Sequence, residues 1–306
     1  MDCLLRLVED TAILESAWER EPVLSTGLGD FGDLLSLADV DEMVSRGFPV
    51  DSVRLIAEGR PVPSLSVAAD GRYGRSAADR VTDGAKVAAR LRAGATLILE
   101  NLKAHCPAVA EFAAAVSEAT GYDTYCTAFL TPAGHPGVAP HHDTASVFVR
   151  QLSGTKHWRV SRPVEPWPLR EHRGRRMPDG EAVVETTLRV GDCLYVPRGF
   201  VHAAAAGAEP SLHLSVALRP VTWGFLLRQA VERAAEERPE LREALPPAFS
   251  AADREALLRE RAGVLGAYLD GLAGSDGARE LMRRAVPGAP VPGALLSALR
   301  AGGGDG

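Results

Sequence analysis

The chain has 306 residues and a formal net charge of −6 at pH 7, with a pI near 5.8. That acidic balance argues against a general nucleic-acid binder, which needs a basic footprint. The length suits one large domain or a domain with an appendage, at roughly 100–200 residues per domain, and 46% apolar residues are ample for a core.

In chain order, the N-terminal third reads as helices and short strands. Ser36 is expected to cap a helix with an acidic first turn. Residues 76–92 read as another helix, stopped at Gly94. A strand is expected at 96–100. Residues 107–120 read as a helix: Pro107 opens it, Val109, Phe112 and Val116 share one face, and Gly121 closes it. The pattern then changes to short strands at 124–130, 146–152, 156–161, 182–188, 193–196 and 211–218, with Gly and Pro turns between them. That spacing suggests a sandwich or barrel. From Thr222 the helical period returns, with amphipathic stretches at 223–245, 251–272 and 278–285. Residues 301–306 read as a flexible Gly-rich tail.

The chemistry concentrates in two segments. The first holds His141-His142-Asp143. The second is Gly191-Asp192-Cys193-Leu194-Tyr195-Val196-Pro197-Arg198-Gly199-Phe200-Val201-His202. A His-x-Asp pair with a distant His is what a 2-His-1-carboxylate facial triad needs. Such a triad grips one face of Fe(II) and leaves the other positions open for substrate and O2. In extended chain, residues i and i+2 share a face, so His141 and Asp143 point inward together and His142 faces away. Gly199 permits a tight turn and Pro197 stiffens its approach, which can present His202 to the first pair. A double-stranded jelly roll fits both the strand spacing and the split ligand set.

These segments resemble a known family. Residues 140–160, from Pro140 through Gln151, Gly154, Lys156 and Trp158, are similar to the JmjC-type, cupin-like oxygenases of the ribosomal oxygenase branch. So are Gly191 to His202 and the closing strand Ser211-Leu212-His213-Leu214-Ser215. The likeness is strong over residues 95–220. It continues more weakly to Trp18-Glu19-Arg20-Glu21-Pro22 near the N-terminus. The resemblance implies an Fe(II)- and 2-oxoglutarate-dependent hydroxylase of protein or peptide side chains that produces succinate and CO2. It matches His141, Asp143 and His202 to the iron ligands. It matches Lys156 to the base that pairs with the distal carboxylate of 2-oxoglutarate. A buried strand lysine needs such an anion, but strand parity leaves Lys156 open between an inward and a solvent-facing position. The chain also departs from the family. Thr127 and Phe129 stand where an Asn and a Tyr usually line the co-substrate pocket, so an amide and a phenol donor are lost. Ala217 replaces a common hydroxyl residue.

The expected fold is mainly β with helical flanks: a JmjC/cupin jelly roll over 95–221, an N-terminal segment 1–94 packed on it, a helical region 222–300 and the tail. That helical region either dimerises the chain or packs on the barrel, and leaves little room for the winged helix that follows in the ribosomal oxygenases. Four cysteines without paired spacing read as reduced thiols, hence a cytoplasmic protein. No secretory signal appears, and no apolar run reaches the ~18 residues of a membrane span. Partners are expected to be a protein or peptide substrate, or a small metabolite, with no nucleic acid and no membrane. The basic run from Arg170 to Arg176 reads as a solvated loop or a contact for an acidic peptide or phosphate. His142 reads as a mouth contact or an outward strand residue, and His213 as a packed strand histidine. Trp158 and Tyr195 read as barrel core and rim aromatics. The alternatives to a protein hydroxylase are an oxygenase of a small-molecule or peptide natural-product pathway, a non-oxygenase metal cupin, and an inactive scaffold. Metal cupins without oxygenase activity usually carry a Glu shortly after the first pair, where this chain has Thr144-Ala145-Ser146-Val147.

Overall fold

The computed structural model describes residues 2–70, 80–170, 180–249, 251–272 and 276–285. The chain forms two compact units, Met1–Arg219 and Pro220–Gly306.

In the first unit, α1 (Asp2–Leu5), α2 (Thr11–Ala17), β1 (Val23–Ser25), α3 (Leu37–Gly47), β2 (Val53–Ala57), β3 (Arg60–Val62), α4 (Gly84–Arg92), β4 (Thr96–Leu99) and α5 (Pro107–Thr120) precede the barrel strands. Those strands are β5 (Asp123–Thr131), β6 (Ser146–Ser153), β7 (Lys156–Ser161), β8 (Ala182–Leu188), β9 (Cys193–Val196), β10 (Val201–Ala206) and β11 (Ser211–Arg219). Among the described residues they make an eight-stranded sheet, β1-β9-β6-β11-β5-β4-β2-β3, and a three-stranded sheet, β10-β7-β8. Every pairing is antiparallel. This is the expected jelly roll.

The period-2 alternation of the strands sorts side chains into two cores. On the large sheet, Cys126, Phe148, Tyr195, Leu214 and Val216 face the N-terminal helices and join Leu7, Val109 and Phe112. Their neighbours Val147, Val149, Leu194, Val196 and Ala217 face the small sheet and pack against Trp158, Val160 and Leu188. Central strand β11 is buried along nearly its whole length because it is covered on both faces. Tyr195 therefore lies in the helix-side core rather than at the rim. Its ring meets Trp18 and Phe148, and its hydroxyl accepts from the Glu19 N–H at 3.2 Å. Trp158 is in the inter-sheet core, as expected.

Helix α3 begins where the sequence placed it. Ser36 accepts from the Asp39 N–H, and the Asp39 carboxylate accepts from the Ser36 N–H, a complete capping box. Helix α5 keeps its expected bounds, with Gly121 at φ 71° closing it. The helix expected over 76–92 is shorter. Residues 76–79 lie outside the described residues, while Val81 and Thr82 bridge to Pro49 and Ala68. Helix α4 starts only at Gly84, because the Asp83 carboxylate accepts from the N–H groups of Ala85 and Lys86.

In the second unit, α6 (Trp223–Glu237), α7 (Arg254–Leu272) and α8 (Asp276–Ala285) follow one another. Helix α6 ends eight residues before the expected 245, because Pro239 disfavours helical backbone at Arg238, which adopts φ −120°, ψ 103°. Within this unit Ala230, Ala234 and Tyr268 are buried. The tail 301–306 and all of the basic run except Arg170 lie outside the described residues.

Candidate metal centre

The two ligand segments are joined through their backbones. His141 N–H donates to the His202 carbonyl at 3.1 Å, and His202 N–H donates to the His141 carbonyl at 2.8 Å. Gly199 N–H donates to the Asp143 carbonyl at 2.9 Å. Gly199 holds φ +86°, and a Cβ there would come within 2.8 Å of Pro168 Cδ. The turn thus requires glycine. His202 follows the turn as the second residue of β10, and the turn presents it to the first pair.

The side chains converge. One donor atom from each of His141, Asp143 and His202 lies within 4.8 Å of the others. His141 Nε2 is 3.8 Å from Asp143 Oδ1, and His202 Nε2 is 3.6 Å from Asp143 Oδ2. Two donors each about 2.0–2.2 Å from an ion stand at most about 4.4 Å apart, so both pairs can share one. The orientation of the rings is also right. His141 Nδ1 is 2.9 Å from the Ala139 carbonyl and His202 Nδ1 is 3.1 Å from the Phe200 carbonyl. A carbonyl only accepts, so both Nδ1 atoms carry the hydrogen and both Nε2 lone pairs face the third donor. Burial, then the neighbouring His141, holds the His202 imidazolium well below its ordinary range. Neutral imidazole is the form that binds metal. The His202 side chain is 10% exposed, against 28% for His141 and 31% for Asp143. The cluster is therefore closed on the His202 side and open at the other two.

Lys156 points inward and is 2% exposed. Its Nζ donates to Thr131 Oγ1 at 2.9 Å and lies 3.4 Å from His213 Nδ1. Among the described residues no carboxylate pairs with it, and burial pushes its ammonium down to about 7. His213 is buried too, its ring stacked on Phe129 at 4.7 Å. Phe129 and Thr127 sit opposite His213 and Ser215 in the β5–β11 ladder, on the face that also carries Thr131. Sequence reasoning did not single out Thr131. A strand threonine is ordinary, and its importance comes from a lysine on the other sheet. His142 turns away from the cluster, its Nε2 3.2 Å from the Arg170 carbonyl.

The donor set suits iron(II): two imidazoles and one carboxylate on one face. A buried lysine without a carboxylate suits one end of a dicarboxylate. Comparison with known proteins agrees with this chemistry. The family described as JmjC domain matches residues 104–226. Over that stretch the chain is similar to the JmjC family. The matched stretch spans His141, Asp143, Lys156 and His202. Ribosomal oxygenase 1 of Homo sapiens is 39% identical over 168 residues, covering 52% of this chain and 26% of that protein. The bifunctional lysine-specific demethylase and histidyl-hydroxylase NO66 of Dictyostelium discoideum is 41% identical over 128 residues, 39% of this chain and 25% of that protein. The chain thus spans about a quarter of the length of these curated relatives. Among solved structures, the Escherichia coli ribosomal oxygenase YcfD in complex with cobalt and 2-oxoglutarate superposes with a TM-score of 0.58 at 18% identity, over 95% of this chain and 77% of that one. At that identity the likeness is one of fold, and it is the jelly roll described above.

Proposed function

We propose that this chain is an Fe(II)- and 2-oxoglutarate-dependent hydroxylase of a protein or peptide side chain, releasing succinate and CO2. The observation that carries the reading is the convergence of His141 Nε2, His202 Nε2 and the Asp143 carboxylate in the same JmjC-like stretch as a buried lysine lacking a carboxylate. The names of the relatives, ribosomal oxygenase and histidyl-hydroxylase, and the cobalt and 2-oxoglutarate held by the Escherichia coli neighbour support it.

Bound iron(II) with 2-oxoglutarate would supply the O2-dependent oxidation, which is the cofactor's own chemistry. The chain's residues do the rest. The Ala139 and Phe200 carbonyls fix the tautomers of His141 and His202. Asp143 contributes an anionic oxygen donor beside the two imidazoles. Lys156, with Thr131 beside it, would take the distal carboxylate, and that anion would favour its ammonium form. The apolar layer of Val149, Val160, Leu188 and Leu194 keeps water from the buried side. The more exposed His141 and Asp143 side chains leave room for a macromolecular substrate.

The wider reading keeps residues 1–94 as a segment supporting the barrel and 222–300 as a homodimerisation region. Trp223, Leu227 and Val231 lie on one face of α6 and are exposed, which suits a partner copy. Four free cysteines suit a reducing, cytoplasmic setting. No helix among the described residues is long and apolar enough to cross a membrane.

The test is to incubate the iron-loaded protein with 2-oxoglutarate and a pool of peptides that includes ribosomal-protein sequences. Mass spectrometry should find one peptide gaining a single oxygen atom, with matching succinate, and no gain with Asp143→Ala. Succinate release that survives Asp143→Ala would refute the site. Succinate coupled only to a metabolite extract would move the reading to a small-molecule oxygenase.

A further inference from the structure

The turn that serves the ligand pair is held by a residue 179 positions away in sequence. Arg198 and Gly199 are the central residues of that turn, which the Phe200 N–H closes on the Pro197 carbonyl at 3.2 Å. Arg198 reaches Glu19, just after α2. Its Nε is 2.5 Å from Glu19 Oε1, and its Nη2 donates to Oε2 at 3.3 Å. The Arg198 N–H donates to Ser146 Oγ at 3.3 Å. The next N–H along, that of Gly199, donates to the Asp143 carbonyl at 2.9 Å. Glu19, Arg198, Gly199 and Asp143 thus form a chain of contacts that ends on a metal-ligating residue.

Two features of the pair ask for a role beyond stability. The Arg198 and Glu19 side chains are only 10% and 21% exposed. Charges so far out of water often stabilise a fold no better than apolar side chains of the same size. What a guanidinium fork on a carboxylate does fix is direction as well as distance. The second feature is the backbone of Glu19, at φ +56°, a left-handed conformation that residues other than glycine seldom adopt. Such strain persists only where the surroundings over-determine it. Here the Glu19 N–H is held by the Tyr195 hydroxyl at 3.2 Å. The preceding Trp18 stacks on both Tyr122 and Tyr195, at 5.7 and 5.6 Å between ring centroids. A strained residue and a desolvated ion pair therefore coincide at the one place where the N-terminal segment meets the ligand turn.

We propose that Glu19 and Arg198 are positioning residues of the metal centre. Their ion pair holds the Pro197–Phe200 turn in the orientation from which the Gly199 N–H meets Asp143 and β10 brings in His202. This rests on the reading of the cluster as a metal site. Neither residue is a metal donor; both act through Gly199. The segment around Glu19 then belongs to the metal centre and is more than a cover for the large sheet.

The experiment measures zinc(II) affinity against a chromophoric chelator, well below the melting temperature of every protein compared. Glu19→Gln keeps the size of the side chain and removes its charge. It should bind zinc about tenfold more weakly than wild type, as for other groups that orient ligands without touching the metal. Arg198→Met should lose about as much, and the double variant no more than either, because all three break one contact. Arg198→Lys, which keeps the charge, should recover part of the loss. Ser36→Ala, a change in a helix cap away from the turn, should melt earlier yet bind zinc as wild type does, which separates positioning from stability. Should Arg198→Met not fold, Glu19→Gln and Arg198→Lys carry the comparison. Wild-type zinc affinity in folded Glu19→Gln, losses that multiply in the double variant, or no recovery in Arg198→Lys would make the pair a clip of the fold alone and overturn the inference, leaving the function standing. Failure of the wild type to bind any divalent metal defeats the function, and the inference with it.

Discussion

Lys156 is a cation held in the interior by a hydroxyl and an imidazole, with no carboxylate partner among the described residues. Its ordinary value of 10.5 falls to about 7 on burial. The unfolded chain therefore binds one more proton than the folded one between about pH 7 and 10.5, and stability from this group rises with pH across that window. Lys156→Met should be more stable than wild type without co-substrate. The gain should be largest below about pH 7 and vanish toward 10.5, as urea denaturation across that range would show. A pH-independent difference would mean that the lysine is solvated. The same variant should lose 2-oxoglutarate binding while keeping metal. Gly199 is the other informative residue, since its left-handed backbone and its N–H both serve the ligand pair. Gly199→Ala should cost roughly 1–3 kcal/mol in stability and weaken metal binding severalfold, measurable by thermal melts and chelator competition. Unchanged metal affinity would show that the turn does not position Asp143. The ligands themselves were legible because their spacing carries their chemistry. The direction of Lys156 was not, because the turn at Gly154, with φ +62°, breaks the strand register before it.

At the scale of elements, those with a local chemical signal matched the sequence. Helix α5 has proline at one end and glycine at the other, and β7, β8 and β9 carry branched and aromatic residues between turn residues. Strand β10 leaves no strand signal in the sequence. After His202 it runs Ala203-Ala204-Ala205-Ala206, and alanine has no strand preference. It is a strand because it pairs with β7 from His202 to Ala206, a tertiary contact no local pattern carries. Strands β1 and β3 are three residues long at the two edges of the large sheet and β2 lies between β4 and β3; the sequence pattern does not place them. Helix α4 starts later than the sequence pattern suggests because Asp83 caps it. Caps make a direct test. Ser36→Ala removes half of the capping box and should lower stability by about 1 kcal/mol, read from a denaturant midpoint with an unchanged slope. On β11, Leu214 is fully buried between the sheet and the helices. Leu214→Ala should cost about 2–5 kcal/mol, far more than the cap. Comparable losses from the two would contradict the core assignment.

At the scale of the whole molecule, every residue assigned to the metal and co-substrate lies in the unit ending at Arg219. A chain truncated after Arg219 should therefore fold and bind iron and 2-oxoglutarate. If the helical unit carries the self-association, the truncated chain should sediment as a monomer and the longer one as a dimer. Identical sedimentation would remove dimerisation from the account. The central claim is that three side chains from two distant segments make an iron site that accepts 2-oxoglutarate. The most direct measurement is anaerobic titration of the metal-free protein with Fe(II) and then 2-oxoglutarate, followed by visible absorption, with His141→Ala alongside. The account predicts a metal-to-ligand charge-transfer band in the wild type and none in the variant. Iron binding without a band, or a band that persists in His141→Ala, would contradict it.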